Sequence, residues 1–326
     1  MRATWYERNG EARDVLLIGE LPTPAPASGE VRVRLMTSGV NPSDVKSRRN
    51  RPLAADLVIP HSDGAGIIDA VGDSVPQTRI GERVWIWNGQ WQRPMGTAAE
   101  FIVLPQEQAV PLPESTDFAA GACLGIPALT ALHAVRLLGD IEGSTVLVVG
   151  ASSSVGHYAA QFAVAGGANV IGTVGSKDKA AHALSAGART TINYKTESVS
   201  DRIKQLTDGR GVNAIIDMDF STTVRLISTG GLAHHGTIVS YGSNDPGEIG
   251  VPFLPLLYSS ISLHFFVVYD LTPAERRAAV DELNVFLAEG ALSHTIGARF
   301  DLEHVASAHE AVERGEFMGN VVLDLA

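Results

Sequence analysis

A run of small residues, Gly150-Ala151-Ser152-Ser153-Ser154-Val155-Gly156, separates an apolar stretch of strand length, Thr145 to Val149, from a stretch of helical composition, Tyr158 to Val164. Gly166-Gly167 stops that helix, and Asn169 to Val174 is a second apolar strand. Strand, tight turn, helix, strand is one βαβ unit. Its first turn aims backbone N–H groups and a helix N-terminus at one point, which suits a pyrophosphate. The dinucleotide fingerprint G-x-G-x-x-G finds Ala151, Ser153 and Gly156 at its glycine positions, so only the last matches. An ordinary crossover with a serine-rich cap accounts for the same residues. The phosphate reading gains from small side chains throughout 150–154 and from the hydroxyls of Ser152, Ser153 and Ser154. A nucleophile elbow, G-x-S-x-G, needs glycine at 154, where this chain has serine.

The end of the second strand bears on the choice of dinucleotide. A carboxylate there would hold a ribose 2′-hydroxyl, but the chain reads Thr173-Val174-Gly175-Ser176-Lys177. Ser176, Lys177 and Lys179 suit a 2′-phosphate by hydrogen bond and charge, so NADPH is expected. Asp178 is the one dissenting residue and is expected to face the helix N-terminus. A solvated helix start is the plainer account of both lysines.

Three stretches nearer the N-terminus carry reactive residue types. Asn41 and Asp44 follow a strand in Ser38-Gly39-Val40-Asn41-Pro42-Ser43-Asp44, a pattern that also starts turns and helices. His61 and Asp63 lie in Pro60-His61-Ser62-Asp63-Gly64-Ala65-Gly66; a lone histidine is more often structural than a ligand, and Asp63 suits holding the loop. Trp85, Trp87 and Trp91 fit an aromatic pocket wall or a strand core equally well.

These residues need a scaffold, and the pattern supplies two. Residues 1–130 are β-rich: Val31 to Met36 alternates apolar and polar, Pro22, Pro24 and Pro26 read as an exposed extended linker, and short strands with frequent turns fill Ile67 to Trp87. Phe118 to Cys123 reads as a short helix, and Ile126 to Ala134 as the start of a longer one with Pro127 in its first turn. From 145 onward strands and helices alternate through Asp178–Ala186, Thr190–Asn193, Val199–Leu206, Val212–Asp217, Val224–Ser228 and Thr237–Tyr241. That alternation implies a doubly wound parallel sheet whose ligands lie at the strands' carboxyl ends, near Gly150, Gly175, Asp217 and Gly242. Ile261 to Tyr269 is very apolar and suits an edge strand paired across a twofold axis or a buried strand. Thr272 to Glu289 is an amphipathic helix, followed by a helix over His304 to Arg314 and a closing strand over Val321 to Leu325.

Composition excludes several classes. The 326 residues carry 25 basic and 36 acidic side chains, a formal net charge of -11, which argues against nucleic acid and anionic membranes as partners. No apolar run reaches membrane-spanning length and no signal peptide opens the chain. Cys123 is the only cysteine, which excludes disulfides within the chain and multi-cysteine metal sites and fits a cytoplasmic enzyme.

Across its whole length the chain resembles the medium-chain dehydrogenase/reductase superfamily, in its zinc-free quinone oxidoreductase branch. The resemblance is carried by GVNPSDVKSR (39–48), IPHSDGAGIIDAVG (59–72), IPALTALHA (126–134), TVLVVGASSSVGHYAAQFA (145–163), NVIGTVGSKDK (169–179), INY (192–194) and GNVVL (319–323). It implies an α/β protein with a GroES-like β-rich catalytic domain over 1–125 and 263–326, and a Rossmann NADPH-binding domain over 126–262. It further implies an active site in the cleft between them and a homodimer. The activity it implies is hydride transfer from NADPH to a quinone or an α,β-unsaturated carbonyl; the alternative weighed beside it is an NADPH-binding regulatory or crystallin-like protein with little turnover.

Carried over by position, Asn41 lies beside the nicotinamide and positions the substrate, and Lys46 stands where relatives often have an active-site tyrosine. The cofactor positions are Asn41, Thr130, Ser152, Ser153, Ser154, Val155, Gly156, Gly175, Ser176, Lys177, Tyr194, Tyr241, Gly242, Ser243 and Asn320. No metal is expected. Zinc-dependent relatives have cysteine at Asn41, histidine at Ser62 and a third ligand near Ile126, and this chain has none of them. No tyrosine has a lysine four residues on, so a short-chain-dehydrogenase acid is missing too.

Overall fold

A computed structural model describes residues 1–53 and 55–325. They form two compact units, Met1–Pro127 with Asn284–Ala326, and Ala128–Leu283.

The first unit begins with strands β1 (Arg2–Trp5), β2 (Leu17–Glu20), β3 (Glu30–Val40), β4 (Asp63–Val71), β5 (Arg83–Ile86), β6 (Phe101–Pro105) and β7 (Ala109–Pro111). Helices α1 (Ala12–Val15), α2 (Pro42–Asn50) and α3 (Phe118–Gly121) lie among them. In β3 the alternation of Val31, Val33 and Leu35 sends apolar side chains to a core shared with Ile68, Val84 and Ile102. The helix expected from Ile126 begins later, because Leu124–Ala128 forms a π-helical turn around Pro127. Proline has no N–H to continue an α-helical ladder, and the wider turn absorbs the break.

The second unit holds helix α4 (Leu129–Leu138), then β8 (Thr145–Val148), α5 (Ser154–Ala165), β9 (Asn169–Val174), α6 (Lys177–Ser185), β10 (Thr190–Asn193), α7 (Val199–Leu206) and β11 (Val212–Asp217). The expected helix near 224 is two short pieces, α8 (Phe220–Thr223) and α9 (Arg225–Ser228). Then come β12 (Leu232–Ser240), α10 (Phe253–Tyr258), β13 (Ser262–Phe265) and α11 (Pro273–Ala288). The sheet order is β10-β9-β8-β11-β12-β13, and every neighbouring pair is parallel. In chain order that is 3-2-1-4-5-6, the doubly wound dinucleotide-binding topology, with its reversal between β8 and β11. Leu147, Ile171, Ile192 and Ile215 form the core on this sheet. Of the apolar 261–269 stretch, Ser262–Phe265 forms the edge strand β13, with Phe265 60% exposed, and Val268–Asp270 is a 3-10 turn. The division drawn from sequence between 262 and 263 falls inside β13, whereas the compact units change at 283/284, inside α11.

The chain returns to the first unit as β14 (Ile296–Asp301), α12 (Val305–Arg314) and β15 (Asn320–Asp324). There β15 joins β3 antiparallel, giving a sheet ordered β14-β15-β3-β4-β5-β7, with β6 also on β3.

Candidate active site

In the second unit the bend after β8 is held by three devices. Gly150 has φ +69, a conformation glycine adopts without strain. Thr173 clamps the bend from β9, its Oγ1 accepting from Gly150 N at 2.9 Å and its carbonyl from Ala151 N at 3.1 Å. Ser153 is the N-cap of α5, its hydroxyl accepting from Gly156 N at 3.0 Å. A Cβ on Gly156 would stand 2.2 Å from the Gly150 carbonyl oxygen, so this last fingerprint glycine is sterically required. Ser152 is buried, while Ser154 and Val155 are half-buried on the first turn of α5. Thr130 is buried in α4.

At the end of β9, Ser176 caps α6 by accepting from Lys179 N at 3.3 Å. Tyr194 N donates to the Val174 carbonyl at 3.1 Å, which brings the Tyr194 phenol over Gly175. A Cβ on Gly175 would lie 2.8 Å from the Tyr194 hydroxyl and 3.3 Å from Lys195 Cε. Lys177 and Asp178 are both exposed.

Met218, which no motif singles out, links the remaining carboxyl-end residues. Its sulfur would be 2.3 Å from a Cβ on Gly150, and its carbonyl oxygen 2.9 Å from one on Gly242. Asp219 ties the neighbouring loops together, accepting from Ser221, Thr222 and both the backbone and side-chain nitrogens of Asn244. Burial pushes the Asp219 carboxyl up, but those hydrogen bonds outweigh it and leave its pKa lowered. Beside it, burial pushes Asp217 up to about 6 against hydrogen bonds from Asp219 N–H and Thr223. Tyr241, Gly242 and Ser243 line a cavity of about 640 Å³ with aromatic walls from Phe220, Phe265 and Phe266. The Tyr241 phenolic oxygen is itself buried away from solvent, and burial pushes that phenol's pKa up.

In the first unit the hub is Asp63. Its Oδ2 accepts from Asn41 Nδ2 at 2.9 Å and from Ile126 N at 3.1 Å. Asn41 N in turn donates to Asp44 Oδ2 at 2.7 Å, half of a capping box that starts α2. Burial pushes Asp44 up to about 7, against the bonds from Asn41. Asn320 is drawn to the same end of the sheet, since Val321 pairs with Val40. Its Nδ2 donates to the Thr295 carbonyl at 3.1 Å. Lys46 projects from the exposed side of α2. Of the tryptophans, Trp85 is core, and Trp87 and Trp91 are half-buried.

Behind Asp63 runs a chain of hydrogen bonds whose direction follows from counting protons. Thr97 Oγ1 donates its one proton to the Asp63 carbonyl at 2.6 Å. The 2.7 Å contact between Ser38 Oγ and Thr97 Oγ1 then needs the Ser38 proton. His61 Nδ1, 2.9 Å from Ser38 Oγ, must therefore carry hydrogen and donate. That leaves His61 Nε2 bare, so the His309 Nε2 at 2.9 Å is its donor. Both rings are fully buried, and burial lowers both pKa values, His61 to about 3. His61 also sits at φ +77, a conformation costly for a non-glycine residue. It is structural here; its partner on α12, 248 residues away, left no signal in the sequence.

Two family descriptions match: "Alcohol dehydrogenase GroES-like domain" over residues 27–114 and "Zinc-binding dehydrogenase" over 154–284. The chain is 33% identical to a quinone oxidoreductase of Pseudomonas aeruginosa, covering 95% of each, and 31% identical to the rat enzyme, covering 99% of this chain and 97% of that one. The chain belongs to the quinone oxidoreductase branch of the medium-chain dehydrogenase/reductase superfamily. Its fold is that of its relatives: the Escherichia coli quinone oxidoreductase solved with NADPH superposes with a TM-score of 0.87 at 26% identity over 100% of both chains. An NAD-dependent alcohol dehydrogenase superposes with a TM-score of 0.90 at 29% identity, also over 100% of both.

The family description mentions zinc, so the three positions that hold ligands in zinc-dependent relatives are informative. Carried over to this chain, the first two positions are Asn41 and Ser62, and the third falls near Ile126. Asn41 Nδ2 and Ile126 N both donate to the Asp63 carboxylate, and Ser62 Oγ accepts from Gln90 N at 3.4 Å. Among the described residues no group of three or more His, Cys, Asp or Glu side chains is arranged to hold a metal ion.

Proposed function

We propose that the chain is an NADPH-dependent oxidoreductase that passes hydride to a quinone or an α,β-unsaturated carbonyl without zinc. The observation that carries this reading is the bend from Gly150 to Gly156. It keeps every side chain small where a pyrophosphate would approach, and a side chain at 156 would run into the Gly150 carbonyl. These residues fit a dinucleotide: Ser152, Ser153, Ser154 and Val155 lie along the bend, and Thr130, Tyr241, Gly242, Ser243 and Asn320 are further candidates for cofactor contact. The lack of a carboxylate at the end of β9, and the presence of Gly175, Ser176, Lys177 and Tyr194 there, support NADPH over NADH. Curated relatives of near-equal length are named quinone oxidoreductases, which favours turnover over a purely regulatory or crystallin-like role.

Bound NADPH would supply the hydride. The chain's own task is orientation. One Nδ2 hydrogen of Asn41 goes to Asp63, and the other can meet an acceptor's carbonyl oxygen. Lys46, on the same short helix, is the candidate cation on the substrate side. Asp63 draws Asn41 and Ile126 together through hydrogen bonds, which supports a zinc-free centre.

A homodimer joined through the β13 edge belongs to the same reading. Phe265 and Val267 are 60% and 53% exposed, and Phe253, Leu254, Leu257 and Tyr258 of α10 are each more than half exposed. Apolar edges of that kind need cover. A cytoplasmic location is also proposed; the single cysteine, Cys123, is buried, and burial raises its thiol's pKa.

The test is steady-state turnover of purified protein with NADPH and with NADH against naphthoquinones, short enals and simple alcohols. Efficient NADPH-driven reduction of the first two classes is expected. Alcohol oxidation that depends on added zinc would end this reading.

A further inference from the structure

We propose that Lys195 acts with Lys177 as a second cation that selects the phosphorylated dinucleotide. This rests on the NADPH reading above and adds a residue that the family motifs do not supply. The loop after β10 is pinned at four points. Tyr194 N donates to the Val174 carbonyl at 3.1 Å, Thr196 N to the Asn193 carbonyl at 3.0 Å, Lys195 N to Asn193 Oδ1 at 3.1 Å, and Asn193 N to Glu197 Oε2 at 2.8 Å. So held, the loop lays the Lys195 side chain back against Gly175, with Cε 3.3 Å from where a Cβ there would stand. Lys177 follows one residue after the Ser176 cap.

Two lysines therefore flank the Gly175–Ser176 corner, and neither has an acidic partner among the described residues. The acid on the same loop, Glu197, is engaged by Arg202 at 3.7 Å and by the Asn193 N–H. Asp178 is on the first turn of α6, where the helix dipole favours it. In a chain with a net charge of -11, two unpaired cations at one strand end ask for an anion. A 2′-phosphate carries nearly two negative charges, and two lysines answer it better than one. Both lysines are exposed, so the effect of each is modest and sensitive to salt.

The experiment is titration calorimetry of wild type, K195Q and K177Q with adenosine 2′,5′-bisphosphate and with AMP, alongside KM for NADPH and NADH. Loss of one surface charge contact predicts a roughly five- to tenfold weaker bisphosphate affinity in K195Q. AMP affinity and the KM for NADH should stay within about twofold of wild type. The NADPH affinity of wild type should fall as salt is raised, and less steeply in K195Q. Bisphosphate affinity unchanged in K195Q while K177Q loses it would overturn the proposal and leave the charge contact to the lysines of α6. Equal losses for bisphosphate and AMP would overturn it as well, by showing damage to the loop. Wild-type protein that takes up neither dinucleotide would instead refute the function itself, a different outcome.

Discussion

Lowering pH should expose the buried histidine pair of the first unit, and His61→Asn isolates one member. His61 is fully buried with its pKa lowered from 6.5 to about 3 by desolvation. A histidine lowered on folding stabilises the fold fully above pH 6.5, and that stability drains away as the pH falls toward 3, because the unfolded chain takes up the proton first. Between pH 7.5 and 5 the loss from His61 alone is about 2 kcal/mol, using about 1.4 kcal/mol per pH unit below 6.5. His309 moves in the same direction. Asp44 opposes both: its pKa, raised to about 7, makes the fold gain stability as the pH drops through that value. The total slope is therefore a poor readout, and the difference between wild type and H61N is the sound one. Asparagine tolerates the φ of +77 at this position, so the variant keeps the backbone. Trp5, Trp85, Trp87 and Trp91 are the chain's only tryptophans and all lie in the first unit, so their fluorescence reports that unit's unfolding. Denaturant titrations at pH 7.5 and pH 5 should show wild type losing about 2 kcal/mol more than H61N, or roughly 4–8 °C in midpoint temperature. A difference below about 0.5 kcal/mol would refute the claim that His61 is neutral because it is buried.

Other expected outcomes follow from single contacts. Gly156→Ala places a Cβ 2.2 Å from the Gly150 carbonyl, so NADPH affinity measured by calorimetry should drop at least about tenfold while the circular dichroism stays native. Asn41→Ala removes the side-chain donor to Asp63 Oδ2 and the candidate donor to the acceptor; kcat should fall roughly ten- to a hundredfold with the Kd for NADPH little changed. Equal losses in both would point to a collapse of the Asp63 hub. Phe265→Glu on the exposed edge should convert a dimer to monomer in sedimentation velocity, and an unaltered dimer would move the interface elsewhere.

How much was written in the chain differs between the two units. The βαβ unit at 145–174 could be read directly, because strand, bend and helix are local patterns with distinct periods and the fingerprint glycine at 156 is needed within seven residues of Gly150. The alternation from 145 to 241 likewise determined a parallel sheet, since parallel neighbours require crossovers. The Asn41–Asp44 cap was legible for the same reason: it spans three residues. What tertiary structure alone decided are contacts between residues far apart in sequence. The His61–His309 pair spans 248 residues, and the Asp63 bond to Ile126 spans 63. Met218 reaches Gly150 only because the strand order reverses between β8 and β11. Lys195 gains meaning because β10 lies beside β9 and its loop folds back over Gly175. Pattern in a sequence records which face a residue presents; which partner meets that face is set by strand order and register, and no local rule encodes either.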